Sequence, residues 1–316
     1  MEHYIGIDLG GTNIAVGMVD ENGKILRKDS VPTLRERPAE EVLKDMSMLV
    51  LKVIKDCGMK VSDVKSIGIG SPGVPNSEKG LIVYACNLNF DNTPVRDEVQ
   101  KYIDLPVFLD NDANCAGLAE AVAGAAKGVK HSITVTLGTG LGGGVVIDGK
   151  IYSGFNYSGS ELGHSVIMMD GEQCTCGRKG CYEAYASATA LIRQTKRAIA
   201  EDPNSMIHKL IGGDLSKVDA KVAFDAAKAG DATGQKIVDQ YIKYIATGLI
   251  NLINTFSPEV IVIGGGISKE GEYLLKPLRD IIYKEVYFKG EPQTRLATAQ
   301  MGNDAGIVGA AMLGKC

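Results

Sequence analysis

The chain has 316 residues, 45% hydrophobic and 23% charged, with a formal net charge of −4. That length suggests two domains at roughly 100–200 residues each, and the composition is that of a soluble globular protein with a sizeable core. The mildly acidic balance gives no sign of general affinity for nucleic acid or an anionic membrane, and no apolar run approaches the roughly 20 residues that span a bilayer.

The start, MEHYIGIDLGG, lacks a basic segment followed by an apolar core, so it is not read as a signal peptide and a cytoplasmic location is expected. Disulfides are rare there, and seven cysteines is an odd number for a fully paired framework. Residues 4–9 and 14–19 are apolar, β-rich strands. Glu21-Asn22-Gly23-Lys24 is a hairpin turn into a third strand over 24–31. Residues 38–57 carry helical apolar spacing at Val42, Met46, Leu49, Val50, Val53 and Ile54. Strands are expected at 65–70 and 107–109, and an alanine-rich helix at 114–127.

The opening plan then recurs. Strand 132–137, turn Gly138-Thr139-Gly140, strand 142–147, turn Asp148-Gly149 and a short strand 150–152 repeat it about 130 residues later. This suggests an old duplication with one copy per domain. Helices follow at 186–200, 220–229 and 235–256, then a buried strand at 260–263 running into Gly264-Gly265-Gly266. A final strand at 295–301 and a small-residue helix at 306–313 close the chain.

Three glycine turns follow apolar strands: Gly10-Gly11 within Asp8-Leu9-Gly10-Gly11-Thr12-Asn13, Gly138-Thr139-Gly140, and Gly264 to Gly266. Backbone N–H groups in such turns can cradle phosphate, with glycine allowing close approach and positive φ. The competing reading is that these glycines only turn hairpins. None is a Walker A loop, and Gly10 and Gly138 lead into strands, unlike a dinucleotide fingerprint. Asp112, just past a strand end, is either a general base or one of three candidate helix N-caps with Asp110 and Asn111.

The stretch ELGHSVIMMDGEQCTCGRKGCYE supplies His164, Cys174, Cys176 and Cys181 on one compact loop, bracketed by Glu161 and Glu183. Three thiolates and an imidazole complete a tetrahedral zinc shell with no open position, so a zinc here is structural. A disulfide and inert thiols are the competing readings. Carboxylates at the rim suit the hydroxyls of a sugar.

These segments, with Leu109 to Asn114 and Leu137 to Gly144, occur in the order found in the ROK family of repressors, open reading frames and sugar kinases, and the likeness runs from Tyr4 to Leu313. The histidine with Cys-x-Cys-x4-Cys is its specific signature. Within the family the sequence looks most like the bacterial glucokinases, partly through Cys181 to Thr189. The resemblance implies a two-domain actin-like (ribonuclease-H-like) α/β fold with a cleft between the domains. One domain would cover 1–120, rejoined by a helix at about 303–316, and the larger one 121–302 with the zinc loop. It implies ATP, magnesium and a hexose phosphorylated at its 6-hydroxyl, glucose first and N-acetylmannosamine, N-acetylglucosamine, fructose or allose behind. No nucleic acid or membrane partner is implied; a homo-oligomer, dimer or tetramer, is.

By matching position, Asp112 would take the hydroxyl proton. Asn87, Asn111, Glu161, His164 and Glu183 would bind the other hydroxyls. Asp8 would help place the metal, and Gly10, Gly11, Thr12 and Asn13 would face the phosphates. Gly138, Thr139, Gly140 and Gly264 to Gly266 would hold the nucleotide, and His164 would serve both zinc and sugar. Ser160, Cys86 and Phe90 depart from the usual glycine, proline and tryptophan, all near the expected sugar pocket. A repressor would carry a helix-turn-helix ahead of the first glycine turn, and with only Met1 to His3 and Tyr4 at the head of the first strand none is expected. A chaperone-like ATPase would leave the cysteine loop without a role. Kinase activity is therefore the expectation.

Overall fold

A computed structural model describes Met1–Lys315. Contacts divide it into two units. The first comprises Met1–Thr134, Gly144–Ser160 and the stretch from Gln300 onward; the second comprises Val135–Gly143 and Glu161–Ala299.

In the first unit, β1 (His3–Leu9), β2 (Asn13–Asp20) and β3 (Ile25–Pro32) form an antiparallel meander, and β4 (Ile67–Ser71) and β8 (Val107–Asn111) extend it in parallel, in the order β3-β2-β1-β4-β8. The β2–β3 turn is set by Asp20, whose Oδ1 accepts from the N–H groups of Asn22 and Lys24, both at 2.9 Å. Helix α1 (Ala39–Asp56) buries the expected stripe of Val42, Met46, Leu49, Val50, Val53 and Ile54 in the core beneath β1, β2 and β4, with Pro38 as its N-cap. A small sheet of β5 (Val74–Asn76), β6 (Leu81–Ala85) and β7 (Phe90–Thr93), and helix α2 (Val95–Gln100), fill the stretch between β4 and β8. Helix α3 (Asp112–Ala123) follows β8 with no intervening loop. It begins two residues earlier than expected because Asn111 caps it, and it ends at Ala123 rather than 127, before Gly124.

Helix α10 (Ala305–Met312) lies on the sheet face opposite α1 and against α3. Gly6 and Gly68, side by side on β1 and β4, make this possible. A Cβ at either would stand 1.9 Å from the Ile307 carbonyl oxygen or 1.7 Å from that of Ala310. Glu120 of α3 is 1% exposed. Its Oε1 accepts from the N–H groups of Gln300 and Met301 (2.9 and 2.8 Å) and its Oε2 from Ala125 (2.8 Å), which fixes the backbone leading into α10.

A second five-stranded sheet has the order β11-β10-β9-β12-β13: β9 (Ser132–Leu137), β10 (Leu141–Ile147), β11 (Lys150–Ile151), β12 (Val260–Gly264) and β13 (Arg295–Thr298). The two orders correspond strand for strand: the first three strands of each are the repeat that the sequence plan predicts, and the two later strands extend the correspondence beyond it. The second unit's helices are α4 (Glu183–Ala186), α5 (Ala188–Glu201), α6 (Ile207–Leu210), α7 (Val222–Lys228), α8 (Ala232–Phe256) and α9 (Glu272–Glu285). The helix expected over 186–200 is broken. Ser187 is extended (φ −73°, ψ 162°), and its side chain accepts from the Ala190 N–H at 3.1 Å, starting α5 afresh. Helix α9 has a clear stripe of Leu274, Leu275, Leu278 and Ile282, all buried, that sequence reading passed over. No helix among the described residues is long and apolar enough to cross a membrane.

Candidate active site and metal centre

The first unit gathers Asp8, the first glycine turn, Asn87, Asn111 and Asp112. Parallel pairing puts Asp8, Gly70 and Asp110 on one rung at the ends of β1, β4 and β8. Gly70 has no side chain, so the Cys115 thiol of α3 fits there, its Sγ 3.0 Å from where a Gly70 Cβ would stand. Burial, aided by the charges of Asp110, Asp112 and Asp8, raises that thiol well above the usual range. Cys115 is therefore an inert core thiol surrounded by three carboxylates. Asp8 abuts Gly306 in the first turn of α10, and burial raises its carboxyl above the usual range.

The strand-to-helix junction bears on the N-cap reading of Asp112. Asn111 is the N-cap of α3: its backbone is extended (φ −66°, ψ 147°), its Oδ1 accepts from the Ala113 N–H at 2.9 Å, and its Nδ2 donates to the Gly73 carbonyl at 3.0 Å. Asp112 is the first helical residue and is exposed, with Oδ1 accepting from the Ala113 N–H at 2.8 Å. The cap is thus supplied by its neighbour.

The first glycine turn closes with the Gly10 N–H donating to the Asn13 carbonyl at 3.0 Å, and the Thr33 hydroxyl donates to the Gly10 carbonyl at 2.6 Å. Asn87 lies against this turn, since a Cβ on Gly11 would stand 2.8 Å from the Asn87 carbonyl oxygen. The expectation of positive φ in the glycine turns is corrected here. Among their glycines only Gly265 has it, at 82°; Gly11 is required by close approach instead. Of the three departures, Cys86 is exposed and its thiol lies 3.5 Å from the Asn87 side-chain oxygen. Phe90, 2% exposed, belongs to the unit's hydrophobic core rather than to a pocket surface. Ser160 has φ 65°, the left-handed region, which explains why glycine suits that position.

The second unit gathers the other two glycine turns, Glu161, His164, the cysteines and Glu183. Gly265 stands so close to the end of β9 that a Cβ would be 2.3 Å from the Leu137 carbonyl oxygen, which brings the third turn beside Gly138-Thr139-Gly140. That second turn is anchored by the Ala188 N–H donating to the Gly138 carbonyl (2.8 Å) and the Thr189 hydroxyl to the Thr139 carbonyl (2.7 Å). Nothing lies within 4 Å of a Cβ built on Gly138 or Gly266. Glu183 links turn and cysteine loop: its Oε2 accepts from the Leu141 N–H at 2.9 Å, and its Oε1 accepts from the Thr175 hydroxyl at 3.4 Å and lies 3.7 Å from the Cys174 sulfur. Glu161 is exposed and opens the short turn that carries His164.

His164, Cys174, Cys176 and Cys181 offer four ligand atoms that all lie within 4.8 Å of one another. Cys174 Sγ is 3.6 Å from His164 Nδ1, and Cys176 Sγ is 3.6 Å from Cys181 Sγ. A disulfide has sulfurs about 2.05 Å apart, so that reading fails. Tetrahedral edges for Zn–S near 2.3 Å and Zn–N near 2.05 Å come to about 3.8 and 3.6 Å. Gly177 (φ 92°) and Gly180 (φ 81°) turn the loop. Burial pushes the Cys181 thiol up to about 12, whereas the Arg178 backbone N–H holds Cys176 below its usual value.

Sequence reading missed Asp110 as anything but a cap candidate, and it missed Asn114 and Ser153. Asn114 Nδ2 donates to Asp110 Oδ1 at 2.8 Å and the Ser153 hydroxyl to Asp110 Oδ2 at 3.1 Å. The Asp110–Asn114 spacing of four at a helix start was the available signal; Ser153 carried none.

The sequence profile of the ROK family matches residues 4–316. The chain belongs to the ROK family. A glucokinase of Thermotoga maritima is 39% identical over 98% of this chain and 96% of its own. The crystal structure of a ROK family glucokinase from Streptomyces griseus, in complex with glucose and AMPPNP, matches with a TM-score of 0.77 at 35% identity, covering 98% of both chains. A xylose repressor of Caldicellulosiruptor bescii is 28% identical over 96% of this chain and 76% of its own. The fold is accordingly the two-domain actin-like α/β fold of the ROK sugar kinases.

Proposed function

We propose that this ROK protein transfers the γ-phosphoryl group of ATP to the 6-hydroxyl of a hexose, glucose first among the candidates. The observation that carries the reading is Asp112: an exposed carboxylate at the first residue of α3, next to the N-cap Asn111. The higher identity to the glucokinases than to the xylose repressor supports a kinase over a sugar-sensing regulator. Fold alone does not separate the two.

In this reading the Asp112 carboxylate accepts the hydroxyl proton as the oxygen attacks phosphorus, and the rest of the site positions groups and neutralises charge. Asn87, Asn111, Glu161, His164 and Glu183 hold the sugar. The glycine turns and Thr12, Asn13 and Thr139 receive the nucleotide, and Asp8 orients the magnesium, whose chemistry is to neutralise phosphate charge. His164, Cys174, Cys176 and Cys181 hold a structural zinc. The cation is what lets three thiolates share one small site. Its bearing on the site runs through Glu183, which touches both the cysteine loop and the Gly140–Leu141 turn. The active protein is proposed to be cytoplasmic and a homo-oligomer.

The test is a panel of hexoses assayed for ATP-dependent phosphorylation by the purified protein. Glucose 6-phosphate formation with the highest kcat/KM is the expected result. Turnover of another hexose alone would reassign the substrate, and sugar binding without phosphorylation of any hexose would favour the regulator.

A further inference from the structure

The proposed chemistry leaves one buried carboxylate without a task. Asp110 is 8% exposed, and its hydrogen-bond partners are neutral: the Asn111 N–H at 2.7 Å and Asn114 Nδ2 at 2.8 Å, both on Oδ1, and the Ser153 hydroxyl at 3.1 Å from Oδ2 and 3.4 Å from Oδ1. Burial raises this carboxyl above its usual range, and the bonds from Asn114, Asn111 and Ser153 offset part of that. A buried charge with only neutral donors is a poor device for stability, since an apolar or amide side chain would avoid the desolvation.

What the carboxylate does achieve is geometric. Its donors come from three places in the first unit. The Asn111 N–H is at the last residue of β8. Asn114 is in the first turn of α3, the turn that begins with Asp112. Ser153 lies just beyond β11, at the head of the segment 153–160 that leads to Glu161. Two donors converge on one oxygen and clamp the strand end to the helix start. The third, nearer the other oxygen, ties the 153–160 segment to the same point. The carboxylate also fixes the Asn114 amide, whose NH2 must face it. Asn114 is 3% exposed and its buried Oδ1 has no protein partner, so the amide is oriented through its Nδ2, by Asp110 at 2.8 Å and by the Ser153 oxygen at 3.4 Å.

We infer that Asp110 is a positioning residue: its side chain sets the direction of the Asp112 carboxylate and anchors segment 153–160. The kinetic half of this inference rests on Asp112 being the base; the anchoring half does not. Asp110→Asn keeps the shape and the Oδ1 acceptor, and its new NH2 group can donate to the Ser153 oxygen, which accepts as readily as it donates. Asp110→Ala removes all three bonds. Ser153→Ala removes one.

The experiment measures steady-state kinetics per folded molecule and hydrogen–deuterium exchange in the three variants of the full chain. Asp110→Ala is expected to lower kcat about 10–100-fold, the scale of a small misplacement of a reacting group, with KM for ATP within about twofold. Asp110→Asn is expected to restore most of that loss. Exchange in peptide 153–160 should rise in Asp110→Ala and Ser153→Ala and stay near the parent in Asp110→Asn. An unchanged kcat per folded molecule in Asp110→Ala, with only a lower Tm, would make the residue merely structural and overturn the inference. If Asp110→Ala does not fold, unchanged exchange of 153–160 in Ser153→Ala overturns the anchoring. A parent protein that phosphorylates no hexose would overturn the Asp112 reading instead, and the exchange data would still decide whether Asp110 anchors the segment.

Discussion

At the scale of single residues, the carboxylates at the ends of β1 and β8 differ in burial, and that difference fixes what each replacement does. Asp112 is exposed and is not the helix cap. Asp112→Asn keeps size and helix compatibility and removes only the proton acceptor. Turnover should fall at least about a hundredfold, within the 10²–10⁴ range for a general base, while Tm and sugar affinity change little. Near-normal turnover in the folded variant would remove Asp112 from the chemistry. Asp8 is the contrasting case. Its folded pKa is raised by burial, so the folded state binds the proton more tightly than the unfolded chain. Stability therefore carries a penalty at pH values above the folded pKa, and the penalty fades as pH falls through that value toward the unfolded value of about 3.9. Asp8→Asn should accordingly raise Tm at pH 7 while abolishing activity, and the gain should disappear by about pH 4. A Tm difference that does not depend on pH would show that burial of the charge is not its cause.

At the scale of elements, local chemistry that repeats in one stretch was legible and chemistry spread over distant stretches was not. The β2–β3 turn was readable because Asp20 and Gly23 (φ 82°) are both turn residues, and the β10–β11 turn because Asp148 (φ 52°) and Gly149 (φ 77°) both take the left-handed backbone. The strands β5, β6 and β7 were not, being three to five residues long and exposing Val83 and Tyr84. The break at Ser187 hid inside an alanine-rich run whose periodicity continues across it. The cysteine loop was the most legible element of all, since His164, Cys174, Cys176 and Cys181 share one short stretch and converge within 4.8 Å. Protein purified without added metal should contain about one zinc per chain. Stripping it with a chelator should release the loop and, through Glu183, raise the KM for substrate; restoring zinc should reverse both. Active protein free of zinc by elemental analysis would eliminate this site.

At the scale of the molecule, the repeated strand order explains why the first unit needs the last helix. Its sheet has α1 on one face, and α10 and α3 cover the other. No periodicity in residues 306–313 could have said where that helix docks, because the contact is made by missing side chains. Gly6 and Gly68 let the α10 backbone rest on the sheet, and Gly309 lets it meet α3, where a Cβ would stand 1.7 Å from the Cys115 carbonyl oxygen. Gly68→Ala puts a methyl group into the Ala310 carbonyl, and a helix backbone cannot turn aside as a flexible side chain can. Overpacking of this kind costs about 1–3 kcal/mol or somewhat more. For a unit of this size the upper end corresponds to a Tm lower by about 6–12 °C. Relief requires α10 to lift from β4 and from the Cys115 backbone that Gly309 meets, and the fully buried Cys115 thiol faces Gly70 of that same strand. Gly68→Ala should therefore make Cys115 react with a thiol reagent under native conditions, as located by peptide mass, while the parent protein leaves it unmodified. A variant of unchanged Tm with Cys115 still protected would mean that the α10 backbone does not rest on Gly68, and the account of how the last helix completes the first unit would fail with it.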